Sequence, residues 1–267
     1  MGHDQILIRR KLTSTFYFLL PFFCVFVIWE LLVYLGIVRA KLIPSPSGIF
    51  LSLFEGIVLE HVLLTHLWQS LIRILLGFGL GTFLGTSLGI LMGVEELIHK
   101  AFYPILSFLI PVPTLAWVPL LLIIFGIGDE TVILAIFLGS FFPIVYNTMN
   151  GIRTIEKKEI WAAQSMGANR VTLFFDILIP GSMVSIITGL RLAIGYSWRA
   201  LVGAEMLAAG ISWGIGNMIY TARAFNDIQT MFVGLVVIAV GGFLMDRIIM
   251  DPLEKRTIEK WGMSKER

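Results

Sequence analysis

An all-α, polytopic membrane protein with six transmembrane helices is the fold class this sequence predicts, and three observations carry it. The first is composition: 57% of the 267 residues are hydrophobic and only 14% are charged, where a soluble domain carries about 25% charge. Mean hydropathy is +0.88. The second is a set of six apolar stretches, about 16–36, 70–94, 104–127, 131–148, 185–207 and 229–249, several of which reach the roughly 20 residues needed to cross hydrocarbon. The third is the distribution of basic residues. One face of the six-span arrangement collects fourteen of the twenty, among them Arg9, Arg10, Lys11, Lys100, Arg153, Lys157, Lys158 and Arg170. The opposite loops hold only Arg39, Lys41 and Arg223, and Arg73, Arg191 and Arg199 fall within spans. By the positive-inside rule, both termini and the 150–183 loop are cytoplasmic.

These spans divide the chain into a tail (1–15), a membrane domain (16–249) and a second tail (250–267). The basic residues before the first apolar run suggest a signal peptide. The run is too long for one, and no small-residue cleavage site follows it, so it reads as a retained span. Pro21 loosens its first turns, and Glu30 faces protein or headgroups. Residues 47–66 read as a helix lying on the membrane, with Phe50, Leu53, Phe54, Ile57 and Val58 on one side and Glu55 and Glu60 toward water. Pro44 and Pro46 punctuate its start.

The second span carries Gly77, Gly81, Gly85, Gly89 and Gly93. At 3.6 residues per turn these form one slowly drifting stripe without side chains, suited to close helix packing. Two readings follow: a helix that slides on its neighbour, or tight static packing. The third span is marked by Pro104, Pro111, Pro113 and Pro119, and the fourth by Pro143. Each removes a backbone donor, and an interrupted helix is tolerated at membrane depth when buried in protein or lining a wet cavity. Both a translocation path and a structural kink fit. Residues 210–227, with Trp213, Gly214, Gly216, Tyr220 and Arg223, read as a half-apolar segment anchored at the interface or gating an outer mouth.

Between the fourth and fifth spans lies a polar segment, about 150–180, built as a docking part. Glu156, Lys157, Lys158 and Glu159 charge a helix whose Ala162 and Ala163 leave room for a partner's backbone, and Gly167 allows a sharp turn. Nothing in the chain supplies energy by itself. There is no phosphate-cradling loop, since no lysine follows a glycine anywhere, and no serine elbow or paired cysteines. No catalytic residue is assigned. The four histidines show no metal-ligand spacing, the single Cys24 pairs with nothing within the chain, and a net charge of +2 does not call for nucleic acid. Intramembrane carboxylates are too scattered for a proton relay.

The run Trp161-Ala162-Ala163-Gln164-Ser165-Met166-Gly167, nine residues, then Ile177-Leu178-Ile179-Pro180 resembles the EAA loop of ABC importer permeases. More narrowly, residues 43–246 are similar to the subfamily for nitrate, sulfonate, taurine and bicarbonate uptake. They share Pro44-Ser45-Pro46, Ser70 to Gly77, Pro111 to Pro119, Gly189-Leu190-Arg191 and Ala204-Glu205-Met206. The resemblance implies a MetI-like type I importer permease fold, a homodimer and two ATP-binding subunits that hold ATP and Mg, with no cofactor on this chain. It further implies an extracytoplasmic solute-binding protein and a place in the bacterial cytoplasmic (inner) membrane. Carried over by position, Glu159, Trp161, Ala162, Ala163, Gly167, Ala168 and Pro180 form the ATPase-coupling set, Pro180 ending the loop. Trp161 stands where the motif's glutamate is usual, so Glu159 or Glu156 takes over its salt contact, or Trp161 packs against the permease's own helices.

Four residues are assigned to the substrate pathway: Arg199, Glu205, Pro113 and Trp117. Arg199 sits near the middle of the fifth span, where a cation suits an anionic solute; a buried ion pair, or a hydrogen bond to kinked carbonyls of the third span, is the competing reading. Glu205 lies on a different helical face from Arg199 and caps contacts near the outer end. Arg191 snorkels or holds the EAA loop, and Arg73 snorkels at the outer surface. A stand-alone secondary transporter or channel also explains six spans, but not the docking loop.

Overall fold

The computed structural model describes residues 17, 20–21, 23–39, 41–59, 61–208, 210 and 212–260. The first tail therefore lies outside the described residues, as do 261–267. Within them the secondary structure is helical, in eleven helices: α1 (Phe23–Tyr34), α2 (Pro46–Phe54), α3 (Val62–Val94), α4 (Glu96–Leu109), α5 (Val118–Phe125), α6 (Asp129–Arg153), α7 (Lys157–Ser165), α8 (Arg170–Leu207), α9 (Ile215–Ala224), α10 (Ile228–Met245) and α11 (Asp251–Lys260). Wide helical turns extend α2 through Glu55–Leu59, join α10 to α11 through Asp246–Met250, and occur inside α8 at Leu173–Leu178.

The first predicted interfacial helix is shorter than expected. Ser45 caps it by accepting from the Gly48 N–H at 3.2 Å, and Pro46 opens its first turn. Ile49 is buried, and Leu53 and Ile57 pack on the core, while Phe50 and Phe54 point outward. The apolar residues thus serve two faces, protein and lipid, rather than one. His61, in the left-handed region at φ 55°, breaks the chain away. The long span then begins at Val62, not near residue 70. Glu30 of α1 faces protein, accepting from the Ser47 N–H (3.0 Å) and hydroxyl (2.7 Å).

The glycine stripe finds its partner on α6, register by register. A Cβ added at Gly77 would sit 2.6 Å from the Ile136 Cβ, at Gly81 1.9 Å from the Ser140 Oγ, at Gly85 3.1 Å from Ile144, at Gly89 2.6 Å from Thr148 and at Gly93 2.8 Å from Ile152. Five residues spaced by four on one helix meet five spaced by four on the other, in the same order. The two helices therefore run parallel. Such contact leaves no room for a side chain to pass another, so tight static packing is the reading the structure supports.

That parallelism settles the third span. Gly126 stops α5 at φ +79°, the Thr131 hydroxyl donates to its carbonyl at 2.7 Å, and Asp129 and Glu130 favour the positive N-terminus of α6. Between α3 and α6 the chain must return from the far end of α3 to its near end. It does so through α4 and α5, which meet at an angle of 91° across a short break at residues 110–113 and the turn Thr114–Trp117. A re-entrant loop would have left α3 and α6 antiparallel. The broken pair is one crossing.

Helix α8 returns antiparallel to α6, since Gly151 faces Ser182 and Ser185, Gly189 faces Asn147, and Gly139 faces Ala200. Helix α10 turns back again along α8, with Trp198 lying over Gly241 and Gly242 and donating to the Ile238 carbonyl at 3.0 Å. Four helices are long and apolar enough to span, and the broken pair makes a fifth. The described part of the first predicted span contains only the shorter apolar helix α1, so six spans are not reached among the described residues.

Helix α8 also starts earlier than predicted. It is helical from Arg170, so Pro180 lies inside it rather than closing the loop. A proline cannot donate to the carbonyl four residues back, and the wide turn Leu173–Leu178 ends just before it. Helix α9 is a second departure. Ile215, Gly216, Asn217, Met218, Ile219 and Ala222 are buried, so it is docked into the protein rather than anchored at the interface.

Candidate functional site

Three places in this framework hold candidate functional side chains. The first is α7. Ala163 is its buried residue, while Glu159, Trp161, Ala162, Ser165 and Gly167 are exposed, Trp161 at 63%. Trp161 therefore does not pack on the permease's own helices. The helix ends in a Schellman cap: the Gly167 N–H donates to the Gln164 carbonyl at 2.9 Å and the Ala168 N–H to the Ala163 carbonyl at 3.0 Å. Gly167 takes the required left-handed conformation at φ +89° with nothing near its Cα. Asn169 then starts α8, its side chain accepting from the Thr172 N–H at 2.9 Å. Cap to cap, the turn is rigid. Met166, Val171 and Phe175 add exposed apolar surface beside Trp161. Glu159, Trp161, Ala162, Gly167 and Ala168 are thus gathered in one turn region, and Pro180 stands apart in α8.

The second is a cavity of about 570 Å³ at the break between α4 and α5, closed by α6 and α8. Its walls include Pro111, Pro113, Thr114, Asn147, Tyr196 and Arg199. The structure brings Pro113 and Arg199 together there. Trp117 packs instead against the core cluster, and Glu205 is wholly buried elsewhere; neither lines the cavity. Arg199 lies over the Tyr196 ring, 5.9 Å from its centroid, and among the described residues no carboxylate is within ion-pair distance of it. A guanidinium at mid-span costs at least ~2.5 kcal/mol by insertion scales. Among the described residues, no counter-charge offsets that cost.

The third place is a polar cluster that sequence reasoning missed. Arg73, 3% exposed, does not snorkel. Its Nη1 donates to Glu205 Oε1 at 2.6 Å and to the Trp213 carbonyl at 2.6 Å, and its Nε and Nη2 reach Asp129 Oδ1 at 2.9 and 2.8 Å. Glu205 also accepts from the Ser70 hydroxyl at 2.8 Å and the Gly216 N–H at 2.9 Å. Ser70 accepts from the Ile215 N–H at 2.9 Å, and the Gly214 N–H donates to His66 Nδ1 at 3.0 Å. Gly214, at φ 146°, approaches so closely that a Cβ would lie 2.6 Å from both Arg73 and Glu205. The cluster ties α3, α6 and α8 to the segment leading into α9. It is a joint, saturated with partners. Glu205, assigned to the substrate pathway from sequence, is part of this joint.

Arg191 is likewise corrected. It neither snorkels nor touches the α7 loop; it pairs with Asp246 (3.0 Å), Asp251 (2.7 Å) and Glu254, tying α11 to α8. The i, i+4 spacing of Arg247 and Asp251 was a local signal for this junction.

The fold resembles the MetNI methionine ABC transporter in inward-facing crystal forms, with a TM-score of 0.59 at 18% identity, covering 73% of this chain and 96% of that one. A second crystal form of it gives 0.61 at 17% identity. The architecture is that of a MetI-like ABC importer permease. Residues 81–258 match the family described as the binding-protein-dependent transport system inner membrane component, and the chain belongs to that family. It is 36% identical over 239 residues to the aliphatic sulfonates transport permease protein SsuC of Bacillus subtilis (90% of this chain, 85% of that protein). It is 33% identical to the taurine transport permease TauC of Escherichia coli (82% and 80%) and 33% identical to the bicarbonate transport permease CmpB of Synechocystis (82% and 81%). The protein is a multi-pass membrane permease subunit, not an enzyme.

Proposed function

We propose that the chain is the membrane half of an ATP-driven importer for small anions of the sulfonate, taurine, nitrate or bicarbonate kind. Two copies form the channel, two ATP-binding subunits holding ATP and Mg sit on the cytoplasmic side, and a solute-binding protein delivers from outside. Both termini and α7 face the cytoplasm. The bilayer is the inner membrane of a bacterium. Helix α7 is the lever: it seats in a groove of the ATP-binding subunit, and closure of the ATPase pair on nucleotide carries it along. The parallel seam of α3 and α6 and the helices bound to it pass that shift on as a stiff body, exposing the central cavity to each side in turn.

The observation that supports this best is α7 itself. It is a nine-residue helix with Ala163 buried, a rigid glycine cap and an exposed apolar flank around Trp161. Small side chains at Ala162 and Gly167 let a partner's backbone come close, and Glu159 stands on the solvent side for a salt contact. Replacing Gly167 by tryptophan tests it. A bulky side chain at φ +89° distorts the cap and blocks the groove while the spans still insert. In vesicles holding the whole transporter, solute moved per ATP hydrolysed should fall about tenfold while ATP hydrolysis itself continues. Unchanged uptake by Gly167→Trp would sink the assignment of the lever.

A further inference from the structure

We infer that Arg199 is the anion-recognition group of the transport pathway, holding the solute's oxyanion head in the cavity at the break of the third crossing. This rests on the importer reading and names the site within it. Three observations converge on Arg199.

The first is depth. Gly139 faces Ala200 and Tyr196 across the α6–α8 seam, and it lies about ten residues, or ~15 Å, from one end of α6 and ~21 Å from the other. Arg199 is therefore near the middle of the bilayer. The second is the absence of a counter-charge. Arg73 has two carboxylates, Arg153 has Glu96, Arg191 has three and Arg247 has Asp251. Apart from Arg170, the first residue of α8, Arg199 is the one arginine of the spanning helices that, among the described residues, has no carboxylate partner and only an aromatic face, Tyr196. The third is the wall around it. Asn147 commits one amide hydrogen to the Pro143 carbonyl at 2.8 Å, and Thr114, Tyr146 and Tyr196 add polar atoms to a cavity whose remaining wall is mostly proline, aliphatic and Phe142 surface.

A planar guanidinium presents paired donors that match the oxygens of a sulfonate or carboxylate. Apolar walls suit a short alkyl tail. Held by one cation and a few neutral donors, the anion is bound strongly enough to enter and weakly enough to leave. A carboxylate beside Arg199 would close the site permanently. Among the described residues lining the cavity there is none.

The test uses the complete transporter in vesicles, with radiolabelled ethanesulfonate and bicarbonate as probes. Arg199→Gln should lower ethanesulfonate moved per ATP about tenfold, and Arg199→Lys should recover only part of it, because the charge is kept while the fork of paired donors is lost. Asn147→Asp, which leaves α8 untouched and puts a carboxylate on the cavity wall, should reproduce the glutamine result. Equal uptake by wild type, Arg199→Gln and Asn147→Asp overturns the inference, as does a lysine variant as poor as glutamine. A second arm needs no transport: millimolar ethanesulfonate should raise the unfolding temperature of the purified transporter and not that of its Arg199→Gln form. If the wild type shows that shift but imports neither probe, the importer reading fails and the anion site stands; no shift removes the site.

Discussion

Arg73 and Arg199 are two arginines on spanning helices, and the protein treats them in opposite ways. Arg73 is buried and held by Glu205, Asp129 and the Trp213 carbonyl, with all three of its nitrogens used. Arg199 opens onto a cavity, over the Tyr196 ring and, among the described residues, with no carboxylate paired to it. A saturated charge in a low-dielectric place is a fastener, since moving any member leaves another unpaired. An unsaturated one is a binding group, since its partner has to come from outside. The same residue type marks a fixed joint near one end of the molecule and a place for cargo at its centre.

Variants can break or sharpen this contrast. The largest effect is expected at the joint. Arg73→Met leaves Glu205 and Asp129 without their cation and should cost about 3–5 kcal/mol, read as a sharp fall in unfolding temperature in detergent. Adding Glu205→Gln should return part of the loss. If Arg73→Met unfolds like the wild type, the cluster is no fastener. Next comes the seam that the joint rests on. Gly81→Ala drives a methyl to 1.9 Å from the Ser140 hydroxyl and should destabilise by about 1–3 kcal/mol, with Ser140→Gly relieving it. At Arg199 the sign reverses. Removing an unpaired mid-membrane charge with Arg199→Met should raise stability by about 1–2 kcal/mol, measured by the same unfolding assay, as ethanesulfonate uptake falls. A loss of stability there would show that Arg199 has a structural partner. The smallest effect is the control: Gly79 has nothing within 4 Å, so Gly79→Ala should gain at most about 0.5–1 kcal/mol.

Much of the architecture was legible in the order of residues. Each apolar stretch is a local pattern, and such patterns survive translation into helices. So is the stripe from Gly77 to Gly93, whose period of four announces a face before its partner is known. The prolines around 111–119 announced a break, but not its 91° angle or that the broken pair still crosses. The α7 turn was visible as Ala162, Ala163 and Gly167. The reach of α8 back to Arg170 was not, because Pro180 reads as a stop in sequence and is absorbed by a wide turn in the fold.

By itself the sequence determined that this is a helical membrane protein with a polar, charged loop between two of its spans, since hydropathy, charge pattern and helical period act over a few turns of chain. The tertiary structure alone decided that α3 and α6 run parallel, that Arg73 is a joint while Arg199 faces a cavity, and that Glu205 belongs with the former. Arg73 and Glu205 are 132 residues apart. A charge's meaning depends on what stands within a few ångströms of it, and no pattern along the chain encodes that distance.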